Sequence, residues 1–225
     1  MATSTGQRVG IWVIAVAMVV GTLAGFLALI LTPQNDANDQ KRTEAALATY
    51  QENQAAYEKK QQDQQAEVDK RAAELSKKYA SSFVPQQSKV AKFDPKSATA
   101  VKVDVIKEGT GATIESDTTY LAYYIGFDPS GNIFDSSLAQ DKKSLKAPLI
   151  VRQNGVIQGW SEAMNGKKIG GIYKLTIPSD KAYGEQGSGD IKPNTPLTFI
   201  VMPVETLTAI PEPEIPAALL EAYGQ

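Results

Sequence analysis

One short helix pattern lies inside a long run of strand patterns, and this arrangement constrains the fold most. Ile157, Trp160 and Met164 stand at positions i, i+3 and i+7, which places them on one apolar stripe of a helix. Gly155, just before them, permits a tight turn into that helix. Because so short a helix is not stable alone, we expect the neighbouring strands to wrap around it.

Strand patterns and turn residues flank this helix on both sides. The turns are rich in Gly, Pro, Asp and Asn, and the strand-like segments are 101–106, 119–127, 133–134, 146–152, 169–177 and 197–207. Many strands, mostly joined by hairpins, predict an α+β domain with an antiparallel sheet of about five strands curled around one short helix. We expect this domain to occupy residues 100–208.

Two residue types are absent, and their absence excludes most catalytic classes. The 225 residues include neither Cys nor His, and the net charge is −2. Disulfides, thiolate nucleophiles, zinc–cysteine sites, Ser-His-Asp triads and imidazole metal ligands are therefore excluded. Acidic and basic residues are interspersed, which argues against nucleic acid as the main partner. We expect no metal and no cofactor, so an enzyme of this composition would act through binding, hydrogen bonds and shape.

An uncharged apolar stretch, residues 10–32, follows a short polar segment, residues 1–9. As a helix it would reach about 34 Å, enough for a hydrocarbon core of about 30 Å. A cleaved signal peptide is the alternative, but its apolar region is usually only ~7–15 residues long. We therefore predict a retained, single-pass transmembrane helix in the cell membrane. Arg8, the nearest cation, favours a cytoplasmic N-terminus and an extracytoplasmic domain.

Residues 33–82 are predicted to form a helical stalk, because the chain from 38 to 82 lacks Gly and Pro and is rich in strong helix formers. A weak coiled coil and a solvated stalk are both compatible with this segment, since glutamines interrupt its apolar positions. A homodimer is a further alternative, through the stalk and through the Gly21–Gly25 pair, whose spacing lets two helices approach closely. The heptad positions of the stalk are occupied by Leu47, Tyr50, Tyr57, Val68 and Leu75.

Proline-containing segments bound the predicted domain on both sides. Residues 83–99 contain Pro85 and Pro95 and are interpreted as a linker. Residues 209–225 form a Pro-rich C-terminal tail, in which Pro216 is suited to begin a last helical turn or two.

Four motifs follow one another in the predicted domain. They are Tyr124-Ile125-Gly126, Phe134-Asp135-Ser136-Ser137, Val156-Ile157-Gln158-Gly159-Trp160 and Ala182-Tyr183-Gly184. In this order and spacing they resemble the FK506-binding-protein (FKBP) family of peptidyl-prolyl isomerases, over roughly residues 101–207. The family fold, an antiparallel sheet around one short helix, agrees with the fold expected from the strand and helix patterns.

The resemblance implies a pocket that binds proline-containing polypeptides. Trp160 would form its floor, while the Ile157 backbone N–H and the Tyr183 hydroxyl would donate hydrogen bonds to peptide carbonyls. Asp135 would be a buried carboxylate that accepts hydrogen bonds beside the pocket. The walls and rim would consist of Tyr124, Phe134, Val156, Ile191 and Phe199.

The chain departs from the family pattern along one wall. Ala147 and Leu149 stand where the family usually has aromatic residues, and Asp190 stands where an apolar loop residue is common. We keep Ala147 and Leu149 among the substrate-binding positions. Three functions stay open: an isomerase for extracytoplasmic protein folding, a catalytically weak FKBP-like binding or chaperone module at the membrane, and a dimerising spacer.

Overall fold

The computed structural model describes residues 37–152 and 155–223. Two compact units are present: residues 64–209, and a second unit formed by the described parts of 1–63 and 210–225. The predicted transmembrane helix at 10–32, with its Gly21–Gly25 pair, lies outside the described residues. Within the described ranges, the structure contains no helix with the length and apolar character needed to span a membrane.

The described chain contains three α-helices and six strands. The long helix α1 (Ala37–Phe83) comes first, the short helix α2 (Gln158–Met164) lies between the fourth and fifth strands, and α3 (Ala217–Tyr223) comes last. Short 3-10 turns occur at Val84–Ser88, Pro95–Ser97 and Ser179–Lys181. The strands are β1 (Lys102–Lys107), β2 (Thr119–Phe127), β3 (Ile133–Ser136), β4 (Leu149–Val151), β5 (Ile172–Ile177) and β6 (Leu197–Leu207).

The six strands form one antiparallel sheet in the order β1-β5-β6-β2-β3, with β4 also paired to β2. Strand β2 pairs with β6 along its whole length, from Thr119 opposite Leu207 to Phe127 opposite Thr198. The predicted α+β class with an antiparallel sheet is confirmed, with six strands in the described residues instead of about five.

Helix α2 packs on the inner face of this sheet. Its buried residues Trp160, Ala163 and Met164 join a core with the inward-facing side chains of β2, β5 and β6. Gly159 brings helix and sheet close together, because a Cβ there would collide with Cγ2 of Ile177. A larger residue would therefore push α2 away from β5.

The outer face of the sheet is covered by the C-terminal part of α1. Val68, Leu75 and Phe83 are buried in a second core with side chains of β2, β5 and β6. All nine residues of β2 are buried, as expected only where both faces of an antiparallel strand are covered. The compact unit therefore begins at Gln64, earlier than the expected boundary at residue 100, and Phe83 is a core residue instead of part of a linker.

Polar contacts also hold this helical segment against the sheet. Arg71 donates two hydrogen bonds to the carboxylate of Glu205 on β6, at 3.0 and 2.6 Å. The Ser76 hydroxyl accepts a hydrogen bond of 3.0 Å from the Leu145 N–H. Gln64 accepts from Arg152 at 2.8 Å through its side-chain oxygen. These directional bonds fix the register of α1 on the sheet.

In the other unit, the C-terminal tail folds back on the first part of α1. Leu219 of α3 is fully buried against Leu47 and Tyr50. Arg42 and Glu221 form an ion pair at 3.2 Å. The helix α3 begins directly after Pro216, where the sequence suggested a last helical turn or two.

The heptad positions expected to form a coiled coil are used differently. Leu47 and Tyr50 pack against Leu219. Val68 and Leu75 instead pack in the second core, on the outer face of the sheet, which is called the outer core from here on. These four side chains are therefore buried within a single chain. A periodic apolar stripe shows that a helix needs an apolar partner, but it does not identify that partner.

Candidate active site

Trp160 forms the floor of the candidate site at the start of α2, and only 3% of its surface is exposed. Its indole N–H donates a 3.0 Å hydrogen bond to the hydroxyl of Tyr120 on β2. Burial raises the pKa of Tyr120 to about 12, although this hydrogen bond opposes the shift, so the phenol stays neutral at physiological pH. With its one polar atom satisfied, the Trp160 ring offers an apolar surface.

Aromatic rings meet Trp160 edge to face on two sides. The ring centroid of Phe199 lies 5.2 Å away at 68°, and that of Tyr124 lies 5.9 Å away at 73°. Phe134 packs against Phe199 in the same way, at 5.7 Å and 85°. Such pairs contribute about 0.5–1.5 kcal/mol each beyond their buried area, so the rings hold one another in place.

Gly126 makes room for two of these rings. A Cβ at this position would lie 2.6 Å from Cζ of Phe134 and 2.9 Å from Cε1 of Phe199. Any side chain larger than hydrogen would therefore displace the Phe134–Phe199 pair. This gives a packing reason for the glycine that ends the Tyr124-Ile125-Gly126 motif.

Asp135 holds the hydroxyl end of Tyr124. The Tyr124 hydroxyl donates to Oδ2 at 2.5 Å, and the Ser136 N–H donates to Oδ1 at 2.8 Å. Asp135 therefore accepts hydrogen bonds from these two donors. The burial that the family resemblance implies is absent, because Asp135 is exposed on β3, a strand at the edge of the sheet.

Tyr183 lies half-buried against the apolar core that contains Trp160. Burial raises the pKa of Tyr183, and the negative charge of Asp135 raises it further, so its hydroxyl remains protonated at neutral pH. Among the described residues this hydroxyl makes no hydrogen bond. It is therefore a donor available to a bound molecule.

Ile157 supplies a second available donor. Its extended backbone, with φ −60° and ψ 148°, caps the start of α2, and its carbonyl accepts from the Trp160 N–H at 3.0 Å. The N–H of Ile157 donates to no group within residues 37–152 and 155–223. The apolar floor thus has one uncommitted donor at the residue before α2 and another on the loop after β5.

The remaining predicted positions lie mainly around the same core. Leu149, Val156 and Ile191 are half-buried and pack against it. Ala147 is half-buried just before β4 and is not among the side chains of this core. The structure brings together Tyr124, Phe134, Leu149, Val156, Ile157, Trp160, Tyr183, Ile191 and Phe199.

Two features of this site were not predicted from the sequence. Tyr120 was not singled out, although a buried indole N–H needs an acceptor and residues 120 and 124 point to the same side of β2. An ion pair between Glu162 and Lys181, with a shortest N–O distance of 2.6 Å, was also missed. Their separation in the sequence gives no signal for this contact.

The described residues contain no group of three or more His, Cys, Asp or Glu side chains arranged to bind a metal. The site consists of an apolar floor, aromatic walls, one carboxylate and two hydrogen-bond donors. This arrangement is suited to hold an apolar ring and the carbonyl groups beside it.

Comparison with known proteins identifies the family. Residues 111–202 match the sequence profile of the FKBP-type peptidyl-prolyl cis-trans isomerases. The chain is 33% identical over 156 residues to the isomerase FkpA of Escherichia coli K12, covering 68% of this chain and 53% of that protein. It is 34% identical over 146 residues to the isomerase Mip of Chlamydia trachomatis, covering 63% and 57%.

An FK506-binding protein of Neisseria meningitidis serogroup A is 37% identical over 105 residues, which cover 47% of this chain and 92% of that protein. The match to this shorter relative is almost complete, whereas the chain spans only about half the length of FkpA, 53%. The near-complete match and the profile match agree with the geometry around Trp160. The chain therefore belongs to the family of FKBP-type peptidyl-prolyl cis-trans isomerases.

Proposed function

We propose that this protein accelerates the cis–trans rotation of X-Pro peptide bonds in polypeptides. The observation that carries this proposal is the floor of the site, where Trp160 is buried, its N–H is satisfied by Tyr120, and aromatic rings surround it. A proline ring is apolar and of a size to lie on such a surface. The uncommitted donors of Ile157 and Tyr183 are suited to the carbonyls of the same peptide.

The chemistry requires no covalent step. Resonance in the amide gives the C–N bond partial double-bond character and produces a rotation barrier of ~18–20 kcal/mol. Water stabilises the separated charge of the planar amide. An apolar site therefore favours the less polar, twisted bond, and this effect must be larger in the transition state than in the ground state.

The required stabilisation is modest. A thousandfold acceleration corresponds to about 4 kcal/mol of transition-state stabilisation. Exclusion of water by the rings of Phe134, Tyr124 and Phe199 and two directed hydrogen bonds are the sources available in this site. Asp135 contributes indirectly, because it holds the hydroxyl of Tyr124.

A coupled proline-isomerisation assay on the full chain tests the proposal. We expect catalytic amounts to accelerate isomerisation, and Trp160→Ala to abolish most of the gain. Tyr183→Phe, which removes one donor, should lower kcat/KM. Tyr79→Phe is the matched control, since it removes a hydroxyl that lies 3.5 Å from the Val204 carbonyl, in the outer core. If the intact chain does not exceed the uncatalysed rate, the isomerase proposal is wrong.

A binding or chaperone module with weak catalysis is the second candidate. The side of the site near Ala147 and Asp190 favours this candidate. Ala147 lies outside the apolar core, and Asp190 is exposed in the loop beside Ile191. A more open and more polar wall would exclude water less completely. Binding of proline peptides without acceleration of their isomerisation would select this candidate.

We further propose that residues 10–32 anchor the protein in the cell membrane, with the N-terminus cytoplasmic and the isomerase domain extracytoplasmic. The uncharged length of this segment and the position of Arg8 support this topology. In that location the enzyme would act on polypeptides that fold outside the cytoplasm. Protease accessibility of the domain on intact cells tests the orientation.

A homodimer through the Gly21–Gly25 face is also proposed, and the close approach that this spacing permits supports it. A coiled coil along the stalk has less support, since Leu47, Tyr50, Val68 and Leu75 are buried within one chain. Gly21→Ile should abolish cross-linking of the full chain in membranes. Equal cross-linking of the wild type and this variant would contradict a dimer through this face.

A further inference from the structure

The loop that carries Tyr183 is joined to α2 by one ion pair. Lys181 Nζ donates to both carboxylate oxygens of Glu162, at 2.8 and 2.6 Å. Lys181 lies two residues before Tyr183, and Glu162 lies five residues after Ile157 on the helix that this residue caps. The pair therefore connects the segments that carry the two uncommitted donors.

Both ends of this ion pair are held by further contacts. Gln158 Nε2 donates to Oε1 of Glu162 at 2.9 Å, one turn earlier on α2. The backbone of Lys181 also approaches α2, because a Cβ at Gly159 would lie 3.2 Å from the Lys181 carbonyl oxygen. Lys181 and, to a lesser degree, Gln158 lower the pKa of Glu162, so the carboxylate is charged at neutral pH.

The Tyr183 hydroxyl has no hydrogen bond of its own to fix it within the described residues. The position of this hydroxyl follows from the loop backbone. The Gly184 N–H donates to the Ser179 carbonyl oxygen at 2.8 Å, and the Asn194 N–H donates to the Gly184 carbonyl oxygen at 2.8 Å. Both bonds join residues within the loop and do not connect it to α2. The Glu162–Lys181 pair is a side-chain contact that holds it to α2.

We propose that Glu162 and Lys181 are positioning residues that set the separation between the Tyr183 hydroxyl and the Ile157 N–H. This proposal rests on the proposed isomerase function. Two donors act together on one peptide only when their separation matches that of its carbonyls, and misplacement on the scale of 1 Å lowers rates strongly. The ion pair therefore acts on the rate of bond rotation through Tyr183, without touching the substrate.

The test compares four variants of the full chain in steady-state isomerisation of a proline peptide. Lys181→Met and Glu162→Gln each break the pair, and the double variant Glu162→Lys with Lys181→Glu reverses its charges. Lys102→Met is the matched control, because Lys102 forms a similar ion pair with Asp104 at 3.0 Å on β1. Thermal unfolding of every variant accompanies the kinetics.

We expect each single variant to lower kcat/KM about two- to fivefold, the range that corresponds to loss of one partly exposed ion pair. The loss should appear mainly in kcat, since the apolar residues around Trp160 are unchanged. The charge-reversed double variant should recover most of the rate, and Lys102→Met should match the wild type.

The outcomes separate this proposal from the proposed function. If the wild type gives no acceleration, the isomerase function fails and the positioning role fails with it. If the wild type is active and the single variants match Lys102→Met, the positioning role is overturned and the isomerase function stands. A double variant that remains as slow as the single variants would also overturn it, because the ion pair would then not be the cause.

Discussion

A single hydrogen bond, from Trp160 to Tyr120, satisfies the only polar atom of the ring that forms the floor of the site. Both residues are buried, so neither can exchange this bond for one to water. The bond also fixes the plane of the indole relative to β2. The surface offered to a proline ring therefore depends on a tyrosine that does not itself form part of that surface.

Tyr120→Phe should leave the indole N–H buried without an acceptor. We expect the free energy of unfolding to fall by about 1–3 kcal/mol, measured by chemical denaturation at pH 7. An unchanged denaturation midpoint would show that the hydrogen bond does not stabilise the fold.

The ionisation of Tyr120 makes the stability difference between the wild type and Tyr120→Phe depend on pH. Burial raises its pKa to about 12 in the folded protein. Because an unfolded tyrosine ionises near pH 10, the unfolded state loses its proton first, and the stabilising contribution declines as pH rises from about 10 to 12. The wild type should therefore lose more stability than Tyr120→Phe over that interval.

The residues of the site could be predicted where they belong to a sequence motif. Their burial and surroundings were harder to predict. The motifs pointed to Trp160, Phe134 and Tyr183, which the structure brings to one core. The exposure of Asp135 was not predictable, because it depends on β3 lying at the edge of the sheet. Strand order follows from pairing between distant segments, and local sequence patterns do not contain it.

At the scale of secondary-structure elements, the C-terminal part of α1 belongs to the same compact unit as the candidate site. It covers the apolar outer face of β2 and β6, which a sheet packed only on α2 would expose to water. Phe83, at the end of α1, is fully buried in this layer. A fragment limited to residues 100–208 would lack the covering helix.

Phe83→Ala should destabilise the protein although it lies outside the segment matched by the family profile. Removing a buried phenylalanine side chain typically costs about 3–5 kcal/mol of unfolding free energy. Lys70→Ala, at an exposed position of the same helix, is the control and should change little. Equal denaturation midpoints for both variants would mean that α1 does not pack on the sheet.

The ion pair between Arg71 and Glu205 gives this packing a pH dependence. The hydrogen bonds from Arg71 lower the pKa of Glu205, so the stabilisation is present above the unfolded value near 4.3 and is lost as pH falls through the folded pKa. Since both side chains are about one-third exposed, at 34% and 36%, we expect only about 0.2–1 kcal/mol at pH 7.

Glu205→Gln should therefore lower the unfolding free energy at pH 7 and make little difference at pH 3, measured by urea denaturation at both pH values. A difference from the wild type that is the same at pH 7 and pH 3 would contradict the assigned ion pair.

The elements themselves were largely predictable, while their packing was not. The strand patterns at 119–127 and 197–207 coincide with β2 and β6. A helical stalk was expected over residues 33–82, as a weak coiled coil or a solvated helix, whereas apolar residues of α1 pack on the sheet and on Leu219. An apolar stripe at helical spacing indicates that one face of a helix is buried. It does not indicate which other part of the protein covers that face.

For the whole molecule, the described residues form two compact units: residues 64–209, which contain the candidate site, and a second unit with its own small core. The unit of residues 64–209 is larger than the matched family segment, residues 111–202, because it includes the C-terminal part of α1. The proposed anchor at residues 10–32 lies outside both the family match and the described residues. The proposed activity and the proposed membrane attachment thus belong to different parts of the chain.

Removal of residues 1–36 should separate these two properties. We expect the shortened chain to leave the membrane fraction and to keep its isomerase kcat/KM within about twofold of the full chain, since no residue of the site is lost. Cell fractionation and the coupled assay measure the two effects. Retention in the membrane fraction would contradict the anchor, and loss of activity in a folded protein would contradict the assignment of activity to residues 64–209.

The proposed function assigns acceleration of rotation about X-Pro bonds to the site around Trp160. Exchange NMR on a proline peptide measures this most directly, because it reports the rates of cis–trans exchange and the equilibrium ratio together. With a small molar fraction of the full chain, we predict exchange that speeds up in proportion to protein concentration at an unchanged cis–trans ratio, and that Phe134→Ala slows it. A ratio that shifts only at stoichiometric protein, with no acceleration, would contradict the claim and identify a binding module instead.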